Sequence, residues 1–129
     1  MKLKLWLLMI VLIGSCCSAS EGFATYYTTE SCQREGTSGV KTANGEDFDE
    51  SALTCAMRDK RCYRKGDKRI HFIVTNLETG LSCEVILNDF GPGKKATKNG
   101  VIIDLTPAAK KAIGMKGGKC KVRVEEKKS

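Results

Sequence analysis

The sequence contains few of the residues from which metal and cofactor sites are built. Its 129 residues include a single histidine, His71, which lies apart from all seven cysteines and which we interpret as structural. The cysteines form no C-x-x-C unit, the spacing typical of zinc sites, so disulfides explain them better than a metal does. A glycine-rich phosphate loop is also absent, and we therefore predict neither a cofactor nor a metal.

The chain also lacks any apolar run long enough to span a bilayer. The longest, Leu5–Ile13, has nine residues. As a helix it would rise about 14 Å, against about 30 Å of hydrocarbon. Lys2 and Lys4 precede it and small residues follow it up to Ser20, which is the pattern of a secretory signal. We predict that residues 1–20 are a signal peptide and that the protein is exported to the cell envelope. A retained transmembrane helix is the alternative.

The end of this segment resembles a bacterial lipobox. Its residues, Ile13-Gly14-Ser15-Cys16, predict a lipid anchor on Cys16 as the contact with the membrane. Ordinary cleavage near Ala19 or Ser20 is the alternative and would release a soluble protein. If Cys16 carries lipid, the mature chain keeps six further cysteines, a number that suits disulfides in a small exported domain. Their pairing stays open among Cys17, Cys32, Cys55, Cys62, Cys83 and Cys120.

The net charge is positive, which limits the classes of partner. The chain carries 22 lysines and arginines and 15 acidic residues, for a net charge of +7. A basic exported domain suits an anionic partner, such as cell-wall glycan or lipid head groups. The basic residues are scattered and match no nucleic-acid motif, so we do not predict nucleic-acid binding.

Alternating apolar and polar residues predict a chain made mostly of short strands. Asn44-Gly45 predicts a tight turn, and Ser51–Met57 is ambiguous between a helix and a strand. Thr106 and Pro107 predict the start of a helix that continues to Met115 and ends at Gly117-Gly118. The predicted strands are Gly22–Tyr27, Ile70–Asn76, Leu81–Asn88, Val101–Leu105 and Cys120–Glu125, and the predicted loops are Thr28–Lys41 and the basic segment Arg58–Arg69. This order favours a small β-barrel domain over residues 21–126, with a tail at 127–129.

Five stretches, in this order, resemble one known family. They are Gly22–Tyr27 (GFATYY), Thr42–Asp49 (TANGEDFD), Val74–Gly80 (VTNLETG), Asn88–Pro92 (NDFGP) and Ile103–Ala109 (IDLTPAA). The family is rare lipoprotein A, related to expansins and barwin-like proteins. The resemblance implies a mainly β fold, a six-stranded double-psi β-barrel with one or two short helices. It also implies a lytic transglycosylase that acts on peptidoglycan strands lacking stem peptides at the division septum, where septal division proteins are possible partners.

The chemistry that the resemblance implies needs one carboxylic acid. A lytic transglycosylase closes an anhydro ring with the sugar's own 6-hydroxyl, so one carboxyl can protonate the leaving oxygen and later accept the hydroxyl proton. Ordinary glycosidases usually need a carboxylate pair. The family position makes Asp89 the predicted acid, with Asp104 and Glu46 in support. The alternative roles are a turn hydrogen bond for Asp89, a backbone hydrogen bond for Asp104 and a solvated turn carboxylate for Glu46. The predicted substrate-binding residues are Tyr26, Tyr27, Asn44 and Asn88.

Two residues depart from the family pattern. Met57 stands where the family carries a histidine implicated in activity, and Phe90 stands where it usually carries an arginine. The segment Arg58–Arg69 is also longer than in the family. The departure at Met57 keeps one alternative open, a glycan-binding or wall-loosening module without bond cleavage. A secreted barwin-like protein is a second alternative, favoured if the signal is an ordinary one and the source is eukaryotic.

Overall fold

A computed structural model of the protein describes residues 19–34 and 41–128, with the side chains of residues 32–34 left out. The predicted signal peptide, the lipobox with Cys16, and Cys17 lie outside the described residues. Strand β1 begins at Ala19, two residues before the predicted start of the domain.

Six strands close into one barrel, which confirms the predicted fold class. Around the barrel their order is β1-β5-β2-β4-β3-β6. The pairs β1–β5 and β2–β4 are parallel, and the other four pairs are antiparallel. The strands are β1 (Ala19–Tyr26), β2 (Thr54–Ala56), β3 (His71–Asn76), β4 (Ser82–Asp89), β5 (Val101–Leu105) and β6 (Cys120–Glu126). The ambiguous segment Ser51–Met57 therefore contains a strand.

The barrel interior is apolar because each strand alternates between buried and more exposed residues. On β3 the pattern places Phe72 and Val74 inside and His71 and Ile73 outside, as the sequence predicts. The completely buried side chains include Val74, Val85, Leu87, Ile103, Leu105 and Val122. Complete burial of one such side chain stabilises a fold by about 1.5–3 kcal/mol.

The described residues contain three short α-helices, one more than the upper number predicted. They are α1 (Thr29–Arg34), α2 (Lys94–Lys98) and α3 (Pro107–Ala112). The prediction of a loop over Thr28–Lys41 is wrong for Thr29–Arg34, which form α1. The Thr28 hydroxyl accepts the Ser31 N–H, and the Ser31 hydroxyl accepts the Thr28 N–H, which caps the helix. A six-residue helix is too short to show apolar periodicity, so its sequence reads as a loop.

Helix α3 begins as predicted but ends earlier. The Thr106 hydroxyl accepts the Ala109 N–H, and Pro107 occupies the first turn. Gly114 has a φ of +71°, a left-handed conformation that stops the helix two residues after Ala112. The N–H groups of Gly114 and Met115 then donate to the carbonyls of Lys111 and Lys110, a Schellman motif. The predicted end at Gly117-Gly118 is therefore wrong.

Candidate active site

Two of the predicted catalytic residues lie on one face of the sheet, on either side of β2. Ala56 of β2 is the register partner of Asp89 on β4 and of Asp104 on β5. Asp104 is in turn the partner of Thr25 on β1. We call these four residues the carboxylate row. Neighbouring strands are about 4.8 Å apart, so the backbones of Asp89 and Asp104 are separated by about 10 Å.

An irregularity in the strand pairing brings Asp89 into the row. Thr54 pairs with Ile86 and Cys55 with Leu87, but Ala56 pairs with Asp89, so the register shifts by one residue. Without this shift Ala56 would face Asn88. An extra residue in a strand redirects the side chains that follow it, and such bulges are frequent beside active sites. The bulge therefore turns Asp89 toward the same face as Asp104.

Asp89 is half-buried, and its hydrogen-bond donors are uncharged. The N–H groups of Ala43 and Phe90 both donate to Oδ1 at 2.9 Å. Burial raises the pKa of Asp89 above its usual value, although these two bonds and a hydrogen bond from Tyr27 act in the opposite direction. Loss of hydration thus dominates, and the carboxyl keeps its proton at a higher pH than an exposed aspartate does.

Asp104 is held by a hydroxyl from the neighbouring strand. The Thr25 hydroxyl donates to Oδ1 of Asp104. Gly91 covers the other side: a Cβ at this position would lie 3.6 Å from Oδ2 of Asp104 and 3.6 Å from the Ala56 side chain. The sequence reasoning missed Thr25. Its signal is the alternation of the predicted strand Gly22–Tyr27, which places Thr25 and Tyr27 on the same side. In the structure Thr25 contacts Asp104, and Tyr27 lies beside Asp89.

The two tyrosines predicted to bind substrate have different surroundings. The Tyr27 ring stacks on Phe48 with centroids 4.6 Å apart, so Tyr27 lies among protein groups beside Asp89. Tyr26 is exposed, and the Lys110 ammonium lies 4.0 Å from the centroid of its ring. The two side chains therefore separate as their alternation predicts. Lys110 therefore covers one face of the exposed Tyr26 ring.

Glu46, the third predicted catalytic residue, lies in a groove on another part of the surface. Arg69 donates to both of its carboxylate oxygens, at 3.0 and 3.3 Å, and the Asn88 side-chain amide donates to Oε1 at 3.0 Å. The groove has a volume of about 580 Å³ and is also lined by Leu53 and Ile86. Neither Asp89 nor Asp104 lines it. The structure thus brings Glu46 and Asn88 together, but not with the carboxylate row.

Asn44 is buried and supports the turn that precedes Glu46. Its side-chain oxygen accepts from the Thr42 hydroxyl and the Glu46 N–H, and its amide donates to the Arg64 carbonyl. Its own N–H donates to the Asn88 carbonyl, which ties the turn to the end of β4. Gly45 follows with a φ of +89°, as the predicted tight turn requires.

Met57 and Phe90, the two departures from the family pattern, are neighbours of the carboxylate row. The Met57 N–H donates to the Asp89 carbonyl at 3.2 Å, and the Met57 side chain packs against the core. Phe90 is exposed, and the guanidinium carbon of Arg58 lies 5.0 Å from the centroid of its ring. A cation therefore lies over Phe90, although it comes from another segment of the chain.

The cysteines that the structure describes are unpaired. Cys55, Cys62, Cys83 and Cys120 are free thiols, so the structure does not support the predicted disulfides at these four positions. Cys17 and the Cys32 side chain lie outside the described set. Within residues 19–34 and 41–128, no three or more metal-ligating side chains cluster, and no helix is long and apolar enough to cross a membrane.

Two known proteins are similar to this chain in sequence. A protein named probable endolytic peptidoglycan transglycosylase RlpA from Synechocystis sp. is 40% identical over 80 residues, which are 62% of this chain and 22% of that protein. A protein of the same name from Nostoc sp. is 35% identical over 106 residues, 81% of this chain and 25% of that protein. The chain thus spans about a quarter of the length of these curated relatives. No protein-family model matches the chain.

Among solved structures, an expansin from Clavibacter michiganensis has a TM-score of 0.59 and 17% sequence identity. The match covers 87% of this chain and 52% of that one. With six strands in one closed barrel, this likeness makes the protein a double-psi β-barrel. The sequence similarity to the two cyanobacterial proteins then defines it more narrowly as a rare lipoprotein A/expansin-like barrel.

Proposed function

We propose that the protein is an endolytic peptidoglycan lytic transglycosylase in which Asp89 is the general acid and then the general base. The observation that carries the proposal is the position of Asp89: a half-buried carboxyl, with its pKa raised by burial, that shares its register partner Ala56 with Asp104. An acid for this reaction must hold its proton near neutral pH and then regain it, which a raised pKa favours. The two relatives named as probable transglycosylases support the same substrate, the glycan strand.

The residues of the row suggest how the reaction proceeds. Oδ1 of Asp89 accepts two backbone N–H groups, so we place the transferable proton on Oδ2. That proton passes to the glycosidic oxygen as the bond to the anomeric carbon breaks. Asp89 then takes the proton of the sugar's 6-hydroxyl as its oxygen attacks the same carbon. Asp104, fixed by Thr25, stabilises the positive charge that develops on the sugar ring.

The other predicted site residues take supporting roles in this proposal. Glu46 and Asn88 fix the turn and the end of β4 that hold Asp89, and Asn44 closes the same turn. Tyr27 orients Asp89 through its hydroxyl, and the exposed Tyr26 offers a ring on which a sugar can stack. Export, lipidation of Cys16 and recruitment by septal division proteins remain predictions from the sequence.

The direct test is mass spectrometry of the soluble products after the purified protein is incubated with peptide-free glycan strands. We expect fragments that end in anhydro-muramic acid, and we expect them to disappear with Asp89→Asn. If wild-type protein releases none while a known lytic transglycosylase does so on the same strands, the proposal fails.

A second candidate function is glycan binding without cleavage, and Met57 is the observation that favours it. A thioether cannot exchange protons, and it packs beside the backbone that carries Asp89. This candidate predicts that wild-type protein and Asp89→Asn sediment equally with insoluble peptidoglycan and leave its strands intact. Release of anhydro products by the wild type alone would exclude it.

A further inference from the structure

Arg58 is held in a fixed orientation at the edge of the carboxylate row. Its guanidinium lies over the exposed Phe90 ring, 5.0 Å from the centroid, and Nη1 donates to the Pro92 carbonyl at 3.0 Å. The ring restrains the guanidinium plane, and the carbonyl restrains its rotation. A guanidinium has five N–H donors, so most of them remain for a ligand.

Among the described residues, no carboxylate forms an ion pair with Arg58. Among arginines with a described side chain, Arg61, Arg69 and Arg123 each form an ion pair with a carboxylate, whereas Arg58 and Arg64 do not. Asp89 forms no ion pair with Arg58 either; its Oδ1 accepts the N–H groups of Ala43 and Phe90. Arg58 thus combines a restrained position with a charge that no described carboxylate pairs with, a combination that suits recognition of an anion.

The backbone places this cation beside the reacting carboxyl. The N–H of Met57 donates to the Asp89 carbonyl, and the Gly91 N–H donates to the Met57 carbonyl at 3.4 Å. These two bonds continue the pairing of β2 with β4 past the end of the strands. Arg58 follows Met57 and Phe90 follows Asp89, so the stacked pair borders the row on the side where the chain leaves both strands.

We propose that Arg58 is a specificity residue that binds a carboxylate attached to the sugar in the site. This inference rests on the proposed function, because it assigns a substrate group to the same site. In peptidoglycan, the matching group is the lactyl carboxyl of N-acetylmuramic acid. That carboxyl is a neutral amide when a stem peptide is attached and a free anion when the peptide has been removed. A guanidinium binds the anion in bidentate fashion and gains much less from the amide.

The test compares two ligands that differ only at this group. Peptide-free glycan strands are used as prepared and after carbodiimide coupling to methylamine, which turns each lactyl carboxylate into a neutral amide. Binding is measured by titration calorimetry with protein that carries Asp89→Asn, so that no strand is cleaved. We expect this protein to bind the free-carboxylate strands about tenfold more tightly, the contribution of one charge-assisted hydrogen bond.

Arg58→Gln in the same background should remove the difference by weakening binding of the free-carboxylate strands alone. Arg64→Gln is the matched control, because Arg64 is exposed, belongs to the same segment and forms no close ion pair with a carboxylate of the described residues; it should keep the tenfold ratio. Phe90→Leu should reduce the ratio by about threefold, because the ring no longer restrains the guanidinium.

Two results would overturn the inference. One is equal affinity for the two ligands in protein that retains Arg58, and the other is an equal loss of affinity for both ligands in the Arg58→Gln variant. Both outcomes are independent of bond cleavage. A protein that discriminates between the ligands through Arg58 but releases no anhydro products would contradict the proposed transglycosylase and leave the binding role of Arg58 standing.

Discussion

The two carboxylate sites of this barrel depend on the same turn but differ in what surrounds them. The Ala43 N–H of the turn donates to Asp89, and Glu46, three residues later, binds Arg69 and Asn88. Uncharged donors hold Asp89, whereas a guanidinium occupies both oxygens of Glu46. This difference in surroundings, not the place of each carboxyl beside the turn, is the reason that we propose Asp89 and not Glu46 as the reacting group.

The largest expected effect, after loss of Asp89 itself, concerns Thr25. If its hydroxyl fixes Asp104 in the row, Thr25→Val should lower turnover of peptide-free strands by about a hundredfold, as small displacements of a reacting group do. Thr25→Ser keeps the hydroxyl and should stay within about threefold of the wild type. The measurement is kcat and KM for both variants. Equal loss in the two would show that the hydrogen bond does not matter.

The Glu46 site should affect stability instead of turnover. Arg69→Met removes the cation and should lower the free energy of unfolding by about 1 kcal/mol, the upper range for a partly exposed ion pair. A double-mutant cycle with Glu46→Gln, measured by denaturant unfolding, gives the coupling of the pair. Both single variants should keep turnover within about threefold of the wild type, because the pair is structural. A much larger loss of turnover in Arg69→Met would place the groove in the active site.

The protonation of Asp89 should appear as a pH dependence of stability. Burial raises the pKa of Asp89 in the folded state above its unfolded value, so the folded state binds the proton more tightly. Ionisation then costs stability as the pH rises from the unfolded pKa, about 3.9, through the folded pKa. Asp89→Asn should therefore match the wild type in denaturant unfolding at low pH and be more stable at neutral pH. A less stable variant at neutral pH would contradict this.

The smallest effect is a difference between two thiols. Cys55 is fully buried beneath the carboxylate row, and burial, then the charges of Cys83, Asp104 and Asp89, raise its pKa. Cys83 is only half-buried, and burial raises its pKa as well. A maleimide should modify native protein first at Cys83 and reach Cys55 only after unfolding. Mass spectrometry of peptides after timed labelling checks the order. Equal labelling rates at the two cysteines would show that the reagent reaches Cys55 beneath the carboxylate row.

Much of the fold could be predicted from local pattern. The alternation of β3 and the Thr106 cap depend on residues that are close in sequence. The five stretches were predicted from the pattern of a known family. The missed helix α1 is held by a reciprocal Thr28–Ser31 cap, and the end of α3 depends on Gly114, which adopts φ > 0 before the glycine pair that the pattern favoured.

The candidate site was less accessible to sequence reasoning. Asp89 and Asp104 share a face only because the register shifts at Ala56, and a bulge leaves no local signature here. The Arg69 partner of Glu46 lies 23 residues away, and the Arg58–Phe90 contact also joins distant segments. Such long-range contacts form when the barrel closes, so only the structure could separate the carboxyl in the row from the one in the groove.

The most direct test of this account compares Asp89→Asn with Glu46→Gln on the same peptide-free strands, with anhydro-muramic products counted by mass spectrometry. General acid–base catalysis contributes about a hundredfold or more, so Asp89→Asn should lose at least that much. Glu46→Gln should keep its rate within about threefold, since Gln can still accept from Arg69 and Asn88. The opposite ranking, with Glu46→Gln inactive and Asp89→Asn active, would contradict the central claim.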